Sequence, residues 1–198
     1  MLAPALAWEI LDSAEQICSA AAVTQAVQRV AGGITQMLAE HNPLVLCVMG
    51  GAVVFSGQLL PLLKFPLDFD FLHLTRYGDA TRGGKLEWTV FPRAAVTGRV
   101  VLALDDILDE GHTMDEIRVR MLESGAARFY CAVFADKDIG RPKPISADFV
   151  GGTVPNRYVF GFGMDVMGAW RNLPDVYALK DNEERSVRRE AGNMNGEE

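Results

Sequence analysis

Val100-Val101-Leu102-Ala103-Leu104-Asp105-Asp106-Ile107-Leu108-Asp109-Glu110-Gly111-His112-Thr113-Met114 decides how this chain is read. An apolar run ends in two adjacent carboxylates, a third follows, and a glycine leads into a Thr-initiated helix. The pattern predicts a buried strand, a tight acidic turn and a helix N-terminus. Such a turn offers backbone N–H groups to an anion while its carboxylates face a polyol. A ligand with a phosphate and vicinal hydroxyls, such as phosphorylated ribose, suits both. Solvated turn residues are the plain alternative, but an Asp-Asp pair closing a buried strand costs free energy without a partner.

Outward from this stretch, strands and helices alternate. Residues 44–49 read as a buried strand, Gly50-Gly51 as a turn, and residues 52–63 as a helix. Residues 67–75, 88–91, 99–104 and 128–134 have strand character, with short strands expected near Phe149, at 158–161 and at 176–179. Residues 113–124 predict a helix with Met114, Ile117, Met121 and Leu122 inward and Gly125 as its stop. Ser13-x-x-Gln16 fits a capping box for one long helix over residues 13–40, bent at Gly32-Gly33. Residues 76–86 read as a polar loop. The alternation argues a doubly wound, mainly parallel α/β sheet, whose ligands bind at the carboxyl ends of strands. Gly50-Gly51, residues 105–113 and Lys137 then share one rim.

Composition limits what the chain can do. With 198 residues, 49% hydrophobic and 23% charged, it has the balance of a soluble globular domain with a real core. Net charge is −7, which disfavours nonspecific attraction to nucleic acid or anionic membrane. Cys18, Cys47 and Cys131 are odd in number and widely spaced, as expected of free thiols in a reducing cytosol. Glu9 and Asp12, with no basic n-region, argue against a secretory signal. Residues 44–63 are apolar enough to suggest a membrane span, but Gly50-Gly51, Gly57 and Pro61 break them into two elements. A cytoplasmic location follows. The charged segment 181–198 reads as a disordered tail.

Four further blocks agree in order and spacing with one family: Val48-Met49-Gly50-Gly51, Arg76-Tyr77-Gly78, Lys137 after its strand, and Asn156-Arg157-Tyr158-Val159-Phe160-Gly161-Phe162-Gly163-Met164-Asp165 with Trp170-Arg171-Asn172. With the acidic stretch they resemble the type I purine phosphoribosyltransferases, specifically the hypoxanthine-guanine branch. The likeness spans residues 44–179. It implies a type I phosphoribosyltransferase-like α/β core over residues 41–150. A small hood subdomain, made of residues 1–40 with 151–180, would complete a single domain over 1–180. It also implies transfer of ribose 5-phosphate from phosphoribosyl pyrophosphate to N9 of hypoxanthine or guanine, through a transition state of oxocarbenium character.

The same resemblance assigns roles. Asp105 and Asp106 would hold the ribose hydroxyls as hydrogen-bond acceptors, and Asp109 would be the general base facing purine N7. Ile107, Leu108, Glu110, Gly111, His112 and Thr113 would surround the phosphoribosyl group, with Glu110 to Thr113 wrapping the 5-phosphate. Thr113-x-x-Glu116 also fits a capping box that needs no ligand. Lys137 would donate to the 6-oxo group, Tyr158 stack on the purine, and the Val159 backbone read its edge. Asp165 would line the purine site and bind Mg²⁺, the implied cofactor. Met49, Gly50 and Arg171 would engage pyrophosphate, and Arg76 and Tyr77 would open a mobile catalytic loop. Some relatives carry lysine where Met49 stands, after a cis peptide bond, and lysine is frequent at the position of His112. The family associates as homodimers or homotetramers, and its substrates are small molecules.

Other functions fit less well. Residues 78–85 approach a P-loop but place Leu86 where Ser or Thr is required, and Gly161-x-Gly163 lacks the third glycine of a dinucleotide fingerprint. A non-enzymatic regulator on the same fold is opposed by the acidic charge and by Asp109 and Lys137. A xanthine-preferring enzyme would suit Lys137 equally.

Overall fold

The computed structural model describes residues 2–77 and 85–180. Strands β1 (Glu15–Cys18), β2 (Leu44–Met49), β3 (Asp68–Tyr77), β4 (Lys85–Val90), β5 (Val100–Leu108), β6 (Arg128–Lys137), β7 (Phe149–Val154), β8 (Val159–Phe160) and β9 (Val176–Ala178) accompany four α-helices. These are α1 (Pro4–Ser13), α2 (Ala20–Leu38), α3 (Ala52–Leu59) and α4 (His112–Glu123). Six strands form one sheet in the order β4-β3-β2-β5-β6-β7. All of its pairings are parallel except β3 with β4. Chain order reverses between β2 and β5, since β2 leads outward to β3 while β5 lies on its other side. That reversal opens a crevice at the carboxyl ends of these two strands.

The central strands are buried on both faces, which is why they read as continuous apolar runs. Val45, Leu102, Leu104, Ala132 and Phe134 pack under α2 and α3. Leu44, Leu46, Val101, Ala103, Cys131 and Val133 pack under α4. Burial drives the Cys131 thiol up to about 12 and raises that of Cys47, so both behave as small apolar groups. The apolar run over residues 44–63 is β2, a turn and α3, and no described helix is long and apolar enough to cross a membrane.

Several elements depart from the sequence reading. Of the helix expected over residues 13–40, only α2 forms: Ser13 ends α1, a helix the sequence reading did not contain, and residues 15–18 form β1. Ser13 caps nothing at an N-terminus; its hydroxyl donates to the Ile10 carbonyl at the end of α1. Ser19 caps α2 instead, accepting from Ala22 N, and α2 runs through Gly32-Gly33 unbroken. The apolar periodicity at Val23, Val27, Val30, Ile34 and Leu38 belongs to α2, while tertiary pairing of β1 with β9 claimed the stretch before it. The helix α2 expected in the hood lies on the main sheet, burying Val23, Val27, Val30, Ile34 and Leu38. Residues 76, 77, 85 and 86, read as loop, continue β3 and β4, with Arg76 paired to Leu86 and Tyr77 to Lys85. Gly78, Gly83, Gly84 and the segment 181–198 lie outside the described residues, as do the side chains of Arg76 and Tyr77. Leu122 is exposed rather than inward.

A second sheet, β1-β9-β8, stands apart from the six-stranded one. Arg157 ties it together, donating twice to the Leu179 carbonyl and pairing with Glu15 at 2.6 Å. Val159, Val176 and Ala178 seat it in the core under α2, and Asp175 adds a polar link: its Oδ1 accepts from Gln16 Nε2 and from Ala20 N, both at 2.7 Å. One carboxylate thereby joins the small sheet to the first turn of α2, where negative charge is favoured.

Candidate functional site at the carboxyl ends of β2, β5 and β6

The acidic pair does not sit in a turn. Strand β5 continues through Asp105 and Asp106 to Leu108, and only Asp109-Glu110-Gly111 makes the turn. The sheet extends this far because β6 runs alongside, with Asp105 opposite Val133 and Leu108 opposite Asp136. Asp105 and Asp106 are fixed by backbone donors: Asp106 N gives to Asp105 Oδ1 at 3.0 Å and Ile107 N to Asp106 Oδ1 at 2.8 Å. Burial, together with the neighbouring Asp106 charge and a hydrogen bond between the two side chains, holds Asp105 well above the usual carboxylate range. Burial also raises Asp106, against the pull of its hydrogen bonds and of Arg171. Two half-buried carboxyl groups this close suit a ligand that brings hydroxyl donors, such as a vicinal diol.

Asp106 is wedged against two glycines. A Cβ at Gly51 would come within 1.9 Å of Asp106 Oδ2, and one at Gly163 within 2.1 Å of the Gly51 carbonyl. The β2 turn, the β5 carboxylate and the loop after β8 therefore meet where only glycine fits. Gly51 carried no sign of this role beyond being the second of a glycine pair. In the same turn Met49 is half-buried, Gly50 is exposed, and the cis peptide bond is Met49–Gly50, one residue later than the position before Met49.

Past the end of β5, Gly111 takes φ +85° as the residue preceding α4. Thr113 is accordingly the second residue of the helix and not its cap. Glu116, the capping-box partner, accepts instead from Trp88 Nε1 at 3.4 Å. The left-handed glycine turns the chain so that the first turn of α4 begins directly after the acidic residues. His112 is exposed and Thr113 half-buried there, while Glu110 pairs with Arg141 at 2.6 Å. Ile107 packs toward the α2 and α3 side, and Leu108 is buried toward α4.

Lys137 closes the rim from β6. It is not a solvated lysine between Asp136 and Asp138: its side chain is 9% exposed and its Nζ donates to Asp109 Oδ2 at 2.7 Å. Asp109 itself is half exposed, so the pair faces outward from a buried cation. Lys137 also borders a cleft of about 290 Å³ lined by Leu108, Arg141, Lys143 and Thr153.

The segment after β8 supplies the other wall. Val159 is buried and paired with Ala178, and Tyr158 packs, partly buried, against the cluster formed by Ile10, Phe160, Val166 and Leu179. Asp165 accepts from Gly168 N at 2.6 Å and pairs with Arg171 at 2.5 Å. Arg171 also donates to the Gly163 carbonyl at 2.7 Å, which brings its charge to bear on Asp106. A hard cation such as Mg²⁺ is held by one or two carboxylates with water and substrate phosphates, so Asp165 is a suitable donor. No group of three or more His, Cys, Asp or Glu fit to hold a metal occurs among the described residues. A metal held by Asp165 would be completed by substrate and water oxygens.

The site thus combines a diol-seeking acid pair, a helix N-terminus beside a left-handed glycine, and a cation paired to a half-exposed carboxylate. Comparison with known proteins agrees in kind. The family profile described as "Phosphoribosyl transferase domain" matches residues 13–166. The hypoxanthine-guanine-xanthine phosphoribosyltransferase of Tritrichomonas foetus is 31% identical over 161 residues, covering 81% of this chain and 88% of that protein. A hypoxanthine-guanine phosphoribosyltransferase of Streptococcus pneumoniae is 30% identical over 160 residues, covering 80% and 89%. Among solved structures, a hypoxanthine-guanine-xanthine phosphoribosyltransferase superposes with a TM-score of 0.78 at 29% identity, covering 86% of this chain and 99% of the other.

Proposed function

Because the chain belongs to the phosphoribosyl transferase domain family, we propose that it is a purine-salvage enzyme. It moves the 5-phosphoribosyl group of phosphoribosyl pyrophosphate to N9 of hypoxanthine or guanine, yielding IMP or GMP and pyrophosphate. The observation that carries this reading is the Lys137–Asp109 pair at 2.7 Å, one turn beyond the Asp105-Asp106 pair. On a 6-oxopurine, O6 accepts a hydrogen bond and N7–H donates one along the same edge. A lysine donor beside a carboxylate acceptor matches that edge in polarity. Adenine offers an amino group where Lys137 needs an acceptor.

As N9 attacks the ribose carbon and pyrophosphate leaves, Asp109 takes the N7 proton. Asp105 and Asp106 accept from the ribose hydroxyls, and their negative charge favours the cation developing on the sugar. The 5-phosphate lies against residues 107–113, where backbone N–H groups, the first turn of α4 and the Thr113 hydroxyl face an anion. Tyr158 covers the purine and the Val159 backbone reads its edge. Met49, Gly50 and Arg171 receive the pyrophosphate, and Arg76 and Tyr77 begin the segment that closes over it. Asp165 would hold a Mg²⁺ through a carboxylate oxygen, and the ion would balance charge on the leaving pyrophosphate. The domain spans residues 1–180, works in the cytoplasm and associates with further copies of itself.

Xanthine is a further substrate on this reading, since the Tritrichomonas foetus relative and the solved neighbour both carry it in their names. Steady-state assays with each purine, phosphoribosyl pyrophosphate and Mg²⁺ test the proposal. Turnover of 6-oxopurines with none of adenine is expected. A preference for adenine, or no pyrophosphate release with any purine, overturns it.

A further inference from the structure

Lys143 lies in a Pro-Lys-Pro loop with no periodic signal, yet its side chain is only 11% exposed. Its ammonium has two partners: it donates to the Leu108 carbonyl at 2.6 Å and forms an ion pair with the Asp136 carboxylate. Leu108 and Asp136 are themselves opposite one another in the β5–β6 ladder. The next residue on each strand is Asp109 and Lys137, the pair that reads and deprotonates the base. Lys143 therefore bridges the last rung of the sheet, one residue short of the chemistry on both sides. Its stem also backs the phosphate turn, since a Cβ at Gly111 would lie 3.3 Å from Lys143 Cβ. The loop is itself anchored, with Asp148 accepting from Cys131 N at 2.8 Å and Cys131 Sγ reaching the Ser146 carbonyl.

We propose that Lys143 is a positioning residue for base recognition and proton transfer. By clamping Leu108 to Asp136 it fixes the separation of Asp109 and Lys137. This rests on the phosphoribosyl-transfer reading above. A buried ammonium satisfied by a carbonyl and a carboxylate has one arrangement that keeps both partners, and it ties the end of β5 to β6, whose own end is held by β7. Misplacement of reacting groups by about 1 Å through a residue away from the chemistry costs on the order of 10²-fold in rate.

Lys143→Met keeps the apolar stem and removes the clamp. Asp136→Asn, at a partly exposed side chain, weakens the clamp without threatening the fold. With hypoxanthine as acceptor, each variant is expected to lower kcat by ~10–100-fold and to raise KM for the purine, with KM for phosphoribosyl pyrophosphate nearly unchanged. Combined with Asp109→Asn, either change should cost little more, under about twofold, because residues acting through one another are not additive. A merely structural lysine would lower both substrate affinities and give the same loss with or without Asp109. That result, or unchanged kcat in folded Asp136→Asn, overturns the proposal. A wild-type chain that turns over no purine removes the reading beneath it, whereas an active wild type with insensitive variants removes this inference alone.

Discussion

On the proposed function, Asp109 activates the base, and its geometry separates that role from sugar binding. It stands beyond the end of β5, half exposed and paired to Lys137, whereas Asp105 and Asp106 are held inside the strand by backbone donors. Asp109→Asn preserves volume and removes the proton acceptor, so kcat should fall by ~10²–10⁴ with little change in KM for phosphoribosyl pyrophosphate. An unaltered kcat removes Asp109 from its role. The acid pair predicts a pH effect of definite sign. Burial first, and the Asp106 charge next, hold Asp105 well above 3.8, its ordinary value. Between those two values the folded chain keeps a proton that the unfolded chain has released. This contribution to stability is therefore fully present below pH 3.8 and is lost as pH rises through the raised value. Asp105→Asn lacks it. Its melting temperature should exceed that of the wild type at neutral pH by about 2–4 °C for each kcal/mol recovered, with the gap closing in acid. Parallel melting curves across pH would refute this.

At the scale of elements, the turn from β5 into α4 is set by one glycine. Gly111 adopts φ +85°, and a Cβ there would press on Lys143 Cβ and Pro144 Cδ, both at 3.3 Å. Gly111→Ala should destabilise the fold by about 1–2 kcal/mol from the left-handed backbone alone. It should also raise KM for phosphoribosyl pyrophosphate, since the N–H groups facing the 5-phosphate would turn away. Calorimetry and substrate titration check the two effects, and wild-type values in both would show the turn to be tolerant. The central strands β2, β5 and β6 and helix α3 were legible because buried parallel strands are apolar throughout and bounded by Gly and Pro. The start of α4 was misplaced by local chemistry: Thr113-x-x-Glu116 satisfies a capping pattern, but Glu116 is drawn to Trp88 and the glycine ends the turn first.

For the whole molecule, the seating of the small sheet on the core is the feature to test. Asp175 accepts from both Gln16 and Ala20, 159 and 155 residues away in sequence. Asp175→Ala removes both bonds, for about 1–3 kcal/mol, and frees the wall that carries Tyr158, Val159 and Asp165. KM for the purine should rise more than KM for phosphoribosyl pyrophosphate, whose proposed contacts lie at the end of β5 and the start of α4. An equal rise in both, or none, would show the wall to be held by other means. The chain's own order of residues determined the α/β alternation, the position of the acidic stretch at a strand end and the blocks shared with the family. Those features depend on apolar periodicity and on residue types at short spacing. Only the tertiary structure decided the rest: α2 against the main sheet, β1 paired with β9, Gly51 and Gly163 closed upon Asp106, and Lys143 beneath Leu108 and Asp136. Each is a contact between segments distant along the chain, made possible by close packing and by the need of buried polar groups for partners, and neither leaves a local pattern to read.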